Sequence, residues 1–359
     1  MAKVHFVYPH GPEISCPDAI GRNVASRLRS RYDVKLYRWD EARKIVPRDG
    51  DVLLGHPHPS PWTVFRRSLK QPGWRRIIAL SPYSHGDTVQ MAWADATIRR
   101  CDLFLAITGN HWFQSVEGSI FCHWAPKMRH VDLAVDRADF PTVKDEFNPP
   151  RDRKFVYIGH TLCFKNTSYL SEIVRADPSL RVSWMGRGRS TIEGLEALGP
   201  QDFSSEDSKR MLDKHDFLIT VGRSDANPVT ILEAMSWGLI PVCTRESGYQ
   251  GFRSIVNVPL DDAESAAEVL SELQRMDASE LTEMREQNWR LLDEHFNWDR
   301  FAAQIVDAIE SKDSPSVVNT SVTQSLKIKW AIVASPYAFW RPRNLLRMAK
   351  TAVRNLARS

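Results

Sequence analysis

Asp225 and Glu233 bracket Asn227-Pro228-Val229-Thr230 within the stretch 222–238, GRSDANPVTILEAMSWG. Local chemistry predicts a short helix over 228–237. Asn227 is a good N-cap, Pro228 suits the first helical position, and Gly238 suits the left-handed residue that ends the helix. The free N–H groups of Val229 and Thr230 would then form an anion site of the kind that holds a diphosphate. Glu233 lies one turn beyond Val229 on the same face. A carboxylate beside an anion site makes sense if it accepts from hydroxyl groups, such as those of a sugar. The plainer alternative is a capping Asp225 and a solvated Glu233.

The elements that would position these residues alternate along the chain. Apolar runs at 4–8, 34–37, 52–54, 77–80 and 103–107 read as buried strands, with helices such as 19–30 and 87–100 between them. A Pro-rich, charged passage at 137–154 reads as a linker, and runs at 155–158, 182–185, 217–221 and 241–243 then restart the pattern. Amphipathic helices 263–275 and 278–292 follow. Such alternation indicates βαβ units and parallel sheets. The halves 1–136 and 155–295 are therefore expected to be two Rossmann-like α/β domains facing a cleft, with ligands outside the carboxyl ends of the strands.

A chain of 359 residues fits two domains, and 42% apolar with 26% charged residues excludes a disordered or collagen-like protein. Five scattered cysteines without a C-x-x-C pair suggest neither zinc nor disulfides. The amino terminus reads as a strand rather than a leader, and no uncharged apolar run reaches ~18 residues, so cytoplasmic residence is expected. The net charge of +4 divides unevenly. Residues 321–359 hold eight Lys/Arg and no Asp/Glu, which leaves 40 basic against 44 acidic residues before them. An acidic body argues against nucleic acid as a partner.

SDANPVTILEAMSWGLIPV resembles the E-x7-E motif of retaining GT-B glycosyltransferases, EGF-x5-EAM-x-x-G-x-P-V, with Asp225 in place of the first Glu. Phe155-Val-Tyr-Ile-Gly159-His160, then Lys165-Asn166, resembles the family's strand-Gly-Arg and Lys-Gly segments. Val182-Ser-Trp-Met-Gly186-Arg-Gly188 resembles its strand-Gly-x-Gly segment near the nucleotide. Phe296-Asn-Trp298 looks like its final F-x-W segment, which makes 296–312 a return helix. The likeness covers roughly residues 130–312.

This resemblance implies a GT-B fold and transfer of a sugar, with retention, from a nucleotide-sugar donor to a hydroxyl. No metal and no cofactor are implied, since the nucleotide-sugar is a substrate. Lys165 and the N–H groups of Val229 and Thr230 would neutralise the diphosphate. Asp225 would hold donor-sugar hydroxyls, and Glu233 would accept from the ribose. Gly159, Gly186, Gly188 and Asn227 would line the donor site. His160 stands where the family has Arg, so Arg223 or Arg187 is expected to compensate. A phosphorylase of this fold would show a pyridoxal-phosphate lysine region and a longer chain.

The family holds its acceptor in the first domain. Gly11 is the candidate in the loop after the first strand, and His85 is the candidate catalytic histidine after the fourth, with His56 and His58 as rivals. Trp112 and Trp124 read as core rather than as a stacking platform.

The Ser/Thr/Val-rich stretch 313–326 reads as a second linker, and 327–359 as a tail. At ~100° per residue, Leu345, Met348, Ala352 and Val353 share one helical face and Arg343, Arg347, Lys350 and Arg354 the other. With Trp330 and Trp340 ahead, this basic amphipathic tail fits an anionic membrane surface. It would bring the enzyme to a glycan or lipid-linked acceptor at the inner face of the cell membrane. Docking of the tail on the first domain is the alternative. A catalytically lapsed GT-B domain, kept as a sugar-binding or scaffold subunit, is the other functional reading.

Overall fold

A computed structural model describes residues 3–11, 15–41, 43–58, 60, 62–188, 191–312 and 320–334. The first sheet holds β1 (Lys3–Tyr8), β2 (Asp33–Arg38), β3 (Val52–Gly55), β4 (Arg76–Pro82), β5 (Leu103–Ile107) and β6 (Met128–Val131). The second holds β7 (Phe155–Ile158), β8 (Val182–Met185), β9 (Glu196–Ala197), β10 (Phe217–Thr220), β11 (Ile240–Thr244) and β12 (Val256–Val258). Their orders are β2-β1-β3-β4-β5-β6 and β12-β11-β10-β7-β8-β9. Every pairing is parallel.

Parallel neighbours need crossovers, so helices cover both faces and the inner strands become continuous apolar runs. β3, β5, β8, β10 and β11 are buried at every residue. The strands that the sequence does not single out, β6, β9 and β12, are short sheet edges with sequences MRHV, EA and VNV. Strand order reverses between β1 and β3 in the first sheet and between β7 and β10 in the second. A crevice opens at each such point, beyond the carboxyl ends of the strands.

The passage 137–154 is a strap rather than a free tether. Lys144 is buried, its Nζ 3.3 Å from Asp216 Oδ1 and donating to the Asp213 carbonyl at 2.6 Å. Arg153 is buried and donates to the Leu273 and Met276 carbonyls. The charge of this passage is here matched by buried oxygens, which is what allows it to be buried.

Helix Trp298–Glu310 returns to the first domain. Asp299 accepts from Arg27 Nε at 2.6 Å, Glu310 from the Tyr32 hydroxyl at 2.7 Å, and the Ala308 carbonyl from Arg76 at 2.9 Å. Helix Val322–Ala334 starts inside the expected second linker and packs on helix Thr88–Ile98 of the first domain. Trp340, Arg343, Arg347, Lys350 and Arg354 lie outside the described residues. Among the described residues, no helix is long and apolar enough to cross a membrane.

Candidate active site

The crevice between β7 and β10 brings His160, Lys165, Asp225, Asn227, Val229 and Thr230 to one cavity, whereas Gly159, Gly186, Gly188, Arg223 and Glu233 are not among the residues lining it. Gly159, His160 and Lys165 follow β7, and Arg223, Asp225 and Asn227 follow β10. Lys165 ends a single helical turn, Cys163–Lys165, which Asn166 terminates with φ 54°. The Arg223 N–H donates to the Phe164 carbonyl at 3.1 Å and so ties the two loops together. Lys165 Nζ then meets Asp225 Oδ2 at 2.5 Å, with both side chains largely shielded from solvent. Gly186 follows β8 against the β7 loop, and a Cβ there would lie 1.9 Å from the Gly159 carbonyl oxygen. No other residue fits that approach. Gly188, just beyond, is exposed, as is Arg187.

Helix Val229–Trp237 begins with Pro228 as its cap residue and ends at Gly238, whose φ is 94°. The expected role of Asn227 as N-cap is not realised. Its backbone is left-handed, with φ 53°, and its side-chain Oδ1 accepts from the Leu133 N–H of the first domain at 2.5 Å. Asn227 is therefore an inter-domain tie, and a bond to a residue so far away in sequence outcompetes the local cap. Val229 and Thr230 line the cleft with first-turn N–H groups that have no intrahelical acceptor.

Glu233 sits on the same helix, and burial pushes its carboxyl up to about 7, against a lowering by Lys165. Cys16, at the start of helix Ser15–Leu28 in the first domain, is pushed up to about 11 by burial first and then by the Glu233 charge.

Both domains line one cavity of about 460 Å³ here. The second domain contributes His160, Lys165, Asp225, Val229 and Thr230, while the first contributes Cys16, Ser84, Asp87 and Gln90. The volume lies within the usual range for small-molecule sites, ~300–1,000 Å³. Ser84 Oγ and Asn227 Nδ2 are buried and have no hydrogen-bond partner among the described residues. A larger cavity near His5 and Asp51, about 590 Å³, lies by the amino-terminal end of β3, away from both crevices.

Other sequence expectations meet different surroundings. Arg223 is forked onto Asp261 at the surface, which occupies the guanidinium expected to help His160. The Gly11 N–H donates to Asp18 Oδ1 at 2.8 Å. His85 is not among the residues lining the cavity: its Nδ1 is 3.1 Å from the Tyr83 hydroxyl and its ring stands edge-on to Trp112 at 4.7 Å. His56 has a buried Nδ1 without a partner among the described residues, and burial pushes its imidazole down to about 3. Trp112 and Trp124 are buried in the core. Sequence reasoning missed Cys16, Ser84 and Asp87. Only Asp87 carried a signal, as the N-cap of Thr88–Ile98 accepting from the Gln90 N–H at 3.3 Å.

The first domain also touches the rest of the chain outside the cavity lining. Trp112 Nε1 donates to the Glu246 carbonyl at 2.6 Å, and the Val135 N–H to the Phe296 carbonyl at 3.0 Å. Gly109 and Gly248 meet backbone to backbone, so that a Cβ on Gly109 would lie 1.8 Å from the Gly248 carbonyl oxygen.

No protein-family model matches this sequence, and no curated protein matches it. Solved structures do. Sucrose-phosphate synthase from Thermosynechococcus elongatus superposes with a TM-score of 0.63 at 12% identity, over 86% of this chain and 98% of the other. An alpha-glucosyltransferase in complex with UDP-glucose and DNA containing an abasic site gives 0.57 at 15% identity, over 86% and 99%. TarM gives 0.56 at 9% identity over 74% of this chain, which spans only 55% of TarM's length. The paired six-stranded parallel sheets and these superpositions identify the architecture of this chain as the two-domain GT-B fold.

Proposed function

We propose that this protein is a retaining glycosyltransferase that moves a sugar from a nucleotide-sugar to a hydroxyl of a glycan or lipid-linked acceptor. The observation that carries this reading is the meeting of Lys165, Asp225 and the amino terminus of helix Val229–Trp237 at the β7/β10 crevice, inside a cavity shared with the first domain. Lys165 and the Val229 and Thr230 N–H groups are suited to the negative charge that grows on the departing nucleoside diphosphate. Asp225 is suited to the donor-sugar hydroxyls and Glu233 to the ribose.

In the step proposed, the bond between the anomeric carbon and the diphosphate oxygen breaks. The acceptor oxygen bonds to the same carbon from the same face, and its proton passes to the leaving phosphate oxygen. Protein groups alone hold the diphosphate, so neither a metal nor a cofactor is invoked. The acidic body argues against nucleic acid as the acceptor, and the basic tail favours work at the cytoplasmic face of a membrane.

The test is a thermal-shift screen against uridine, guanosine and adenosine diphosphate sugars, followed by transfer and hydrolysis assays on the binders. Stabilisation with turnover that is lost in Lys165→Ala supports the reading. Stabilisation without turnover for any donor would favour the lapsed, sugar-binding domain instead.

A further inference from the structure

We propose that the outward face of helix Val322–Ala334 is a docking surface for an anionic lipid bilayer. The helix is apolar on two sides. Ile328, 5% exposed, with Ala331 and Ile332, packs on the core of the first domain. Val322, Leu326, Trp330 and Val333 point the other way, with exposures of 78%, 60%, 70% and 47%. Among the described residues they are four of only seven large apolar side chains that are exposed. At ~100° per residue they fall within an arc of about 80° on the side away from Ile328. A helix with apolar residues on both faces needs cover on both, and the domain covers only one.

The flanks of the stripe say what covers the second face. Lys327 and Lys329 are exposed and border it on either side of the wheel. Their stems can lie along the apolar surface while the ammonium groups reach for anionic headgroups. A second copy of the chain fits poorly. Residues 321–359 contain no Asp or Glu, so a two-fold contact through this helix would press lysine against lysine. The chain beyond Ala334 adds six more Lys/Arg, the same charge sign as the stripe's borders.

The location suits the proposed chemistry. Helix Thr88–Ile98, on which this helix packs, also supplies Gln90 and Met91 to the cleft. Membrane contact is thus one helix removed from the reacting groups. This inference deepens the proposed membrane location and rests on that reading only for its purpose. Its test reads binding rather than transfer, so either can fail without the other.

The experiment is co-sedimentation of the full chain with phosphatidylcholine vesicles, with and without phosphatidylglycerol. Wild type is expected to bind the anionic vesicles and to release in high salt. Leu326→Ser with Trp330→Ser is expected to weaken binding about tenfold or more, and Lys327→Gln with Lys329→Gln to weaken it several-fold on anionic vesicles alone. All four side chains point away from the domain, so thermal melting should not move. Failure of wild type to bind, or equal binding by the apolar variant, overturns the proposal. So does a wild-type dimer in sedimentation velocity that the apolar variant converts to monomer.

Discussion

Glu233 gives donor binding a pH dependence whose size follows from its surroundings. Burial raises its carboxyl from the ordinary 4.5 to about 7. A carboxyl that accepts from ribose hydroxyls must be ionised, so below this value the proton has to leave before the donor binds. Affinity then falls tenfold per pH unit below the midpoint and is flat above it. With a midpoint of about 7, the ionised fraction is about 3% at pH 5.5 and about 97% at pH 8.5. The donor Kd should therefore fall about thirtyfold between those values, or about 2 kcal/mol.

A nucleotide-sugar that the thermal-shift screen shows to bind is a clean probe, because its diphosphate is esterified at both ends and has no second proton to lose in this range. Titration calorimetry in buffers of different ionisation enthalpy would also count the proton released, close to one per donor at the acid end. Glu233→Gln keeps an acceptor oxygen but does not titrate, so its Kd should show no slope. The sign isolates a carboxyl: a group that gains positive charge as pH falls would strengthen anion binding rather than weaken it. A flat wild-type profile from pH 5.5 to 8.5, or an unchanged slope in Glu233→Gln, would refute the assignment.

Three other outcomes are expected. Lys165→Ala removes both the partner of Asp225 and the positive charge at the diphosphate, and should lower kcat/KM by about 10²–10³, with Lys165→Arg recovering part of the loss in the same transfer assay. Asn227→Ala leaves the buried Leu133 N–H without an acceptor and should cost about 1–3 kcal/mol in denaturant unfolding, while an unchanged midpoint would show that the tie adds nothing. Gly109→Ala drives a methyl into the Gly248 carbonyl and must part the domains at that contact. A displacement on the order of 1 Å should lower kcat/KM about a hundredfold, with far-ultraviolet circular dichroism unchanged.

What the sequence could reveal followed from how local each feature is. The buried strands are legible because parallel sheets covered on both faces leave uninterrupted apolar runs, as β5 with LFLAI does. β9, two exposed residues, leaves nothing to read. Lys165 and Asp225 were each visible through the company they keep in sequence, but their pairing was not. It depends on two loops brought together by β7 and β10 lying side by side. Asn227 shows the limit most clearly. Local chemistry makes it a cap, and its partner, Leu133, is 94 residues away in the other domain. The first-domain wall of the cleft was the least legible part, since Cys16 and Ser84 belong to no motif and reach the site only through the approach of the two domains.

Charged groups beside the cleft are matched within the protein. Lys165 is held by Asp225, Arg223 by Asp261, and Glu233 sheds its charge by keeping its proton to about pH 7. Leaving Lys165 or Asp225 bare, each largely shielded from solvent, would cost more than pairing them. Donor binding on the proposed reading is then an exchange of partners rather than an addition of charge. The diphosphate takes Lys165 from Asp225, the freed carboxylate turns to sugar hydroxyls, and Glu233 gives up its proton as it meets the ribose. Each half of the exchange supplies what the other releases, so a donor lacking its sugar would strand Asp225 without a partner. On this argument the pair distinguishes a nucleotide-sugar from the bare nucleotide, and Asp225 contributes to donor selection as well as to holding the sugar.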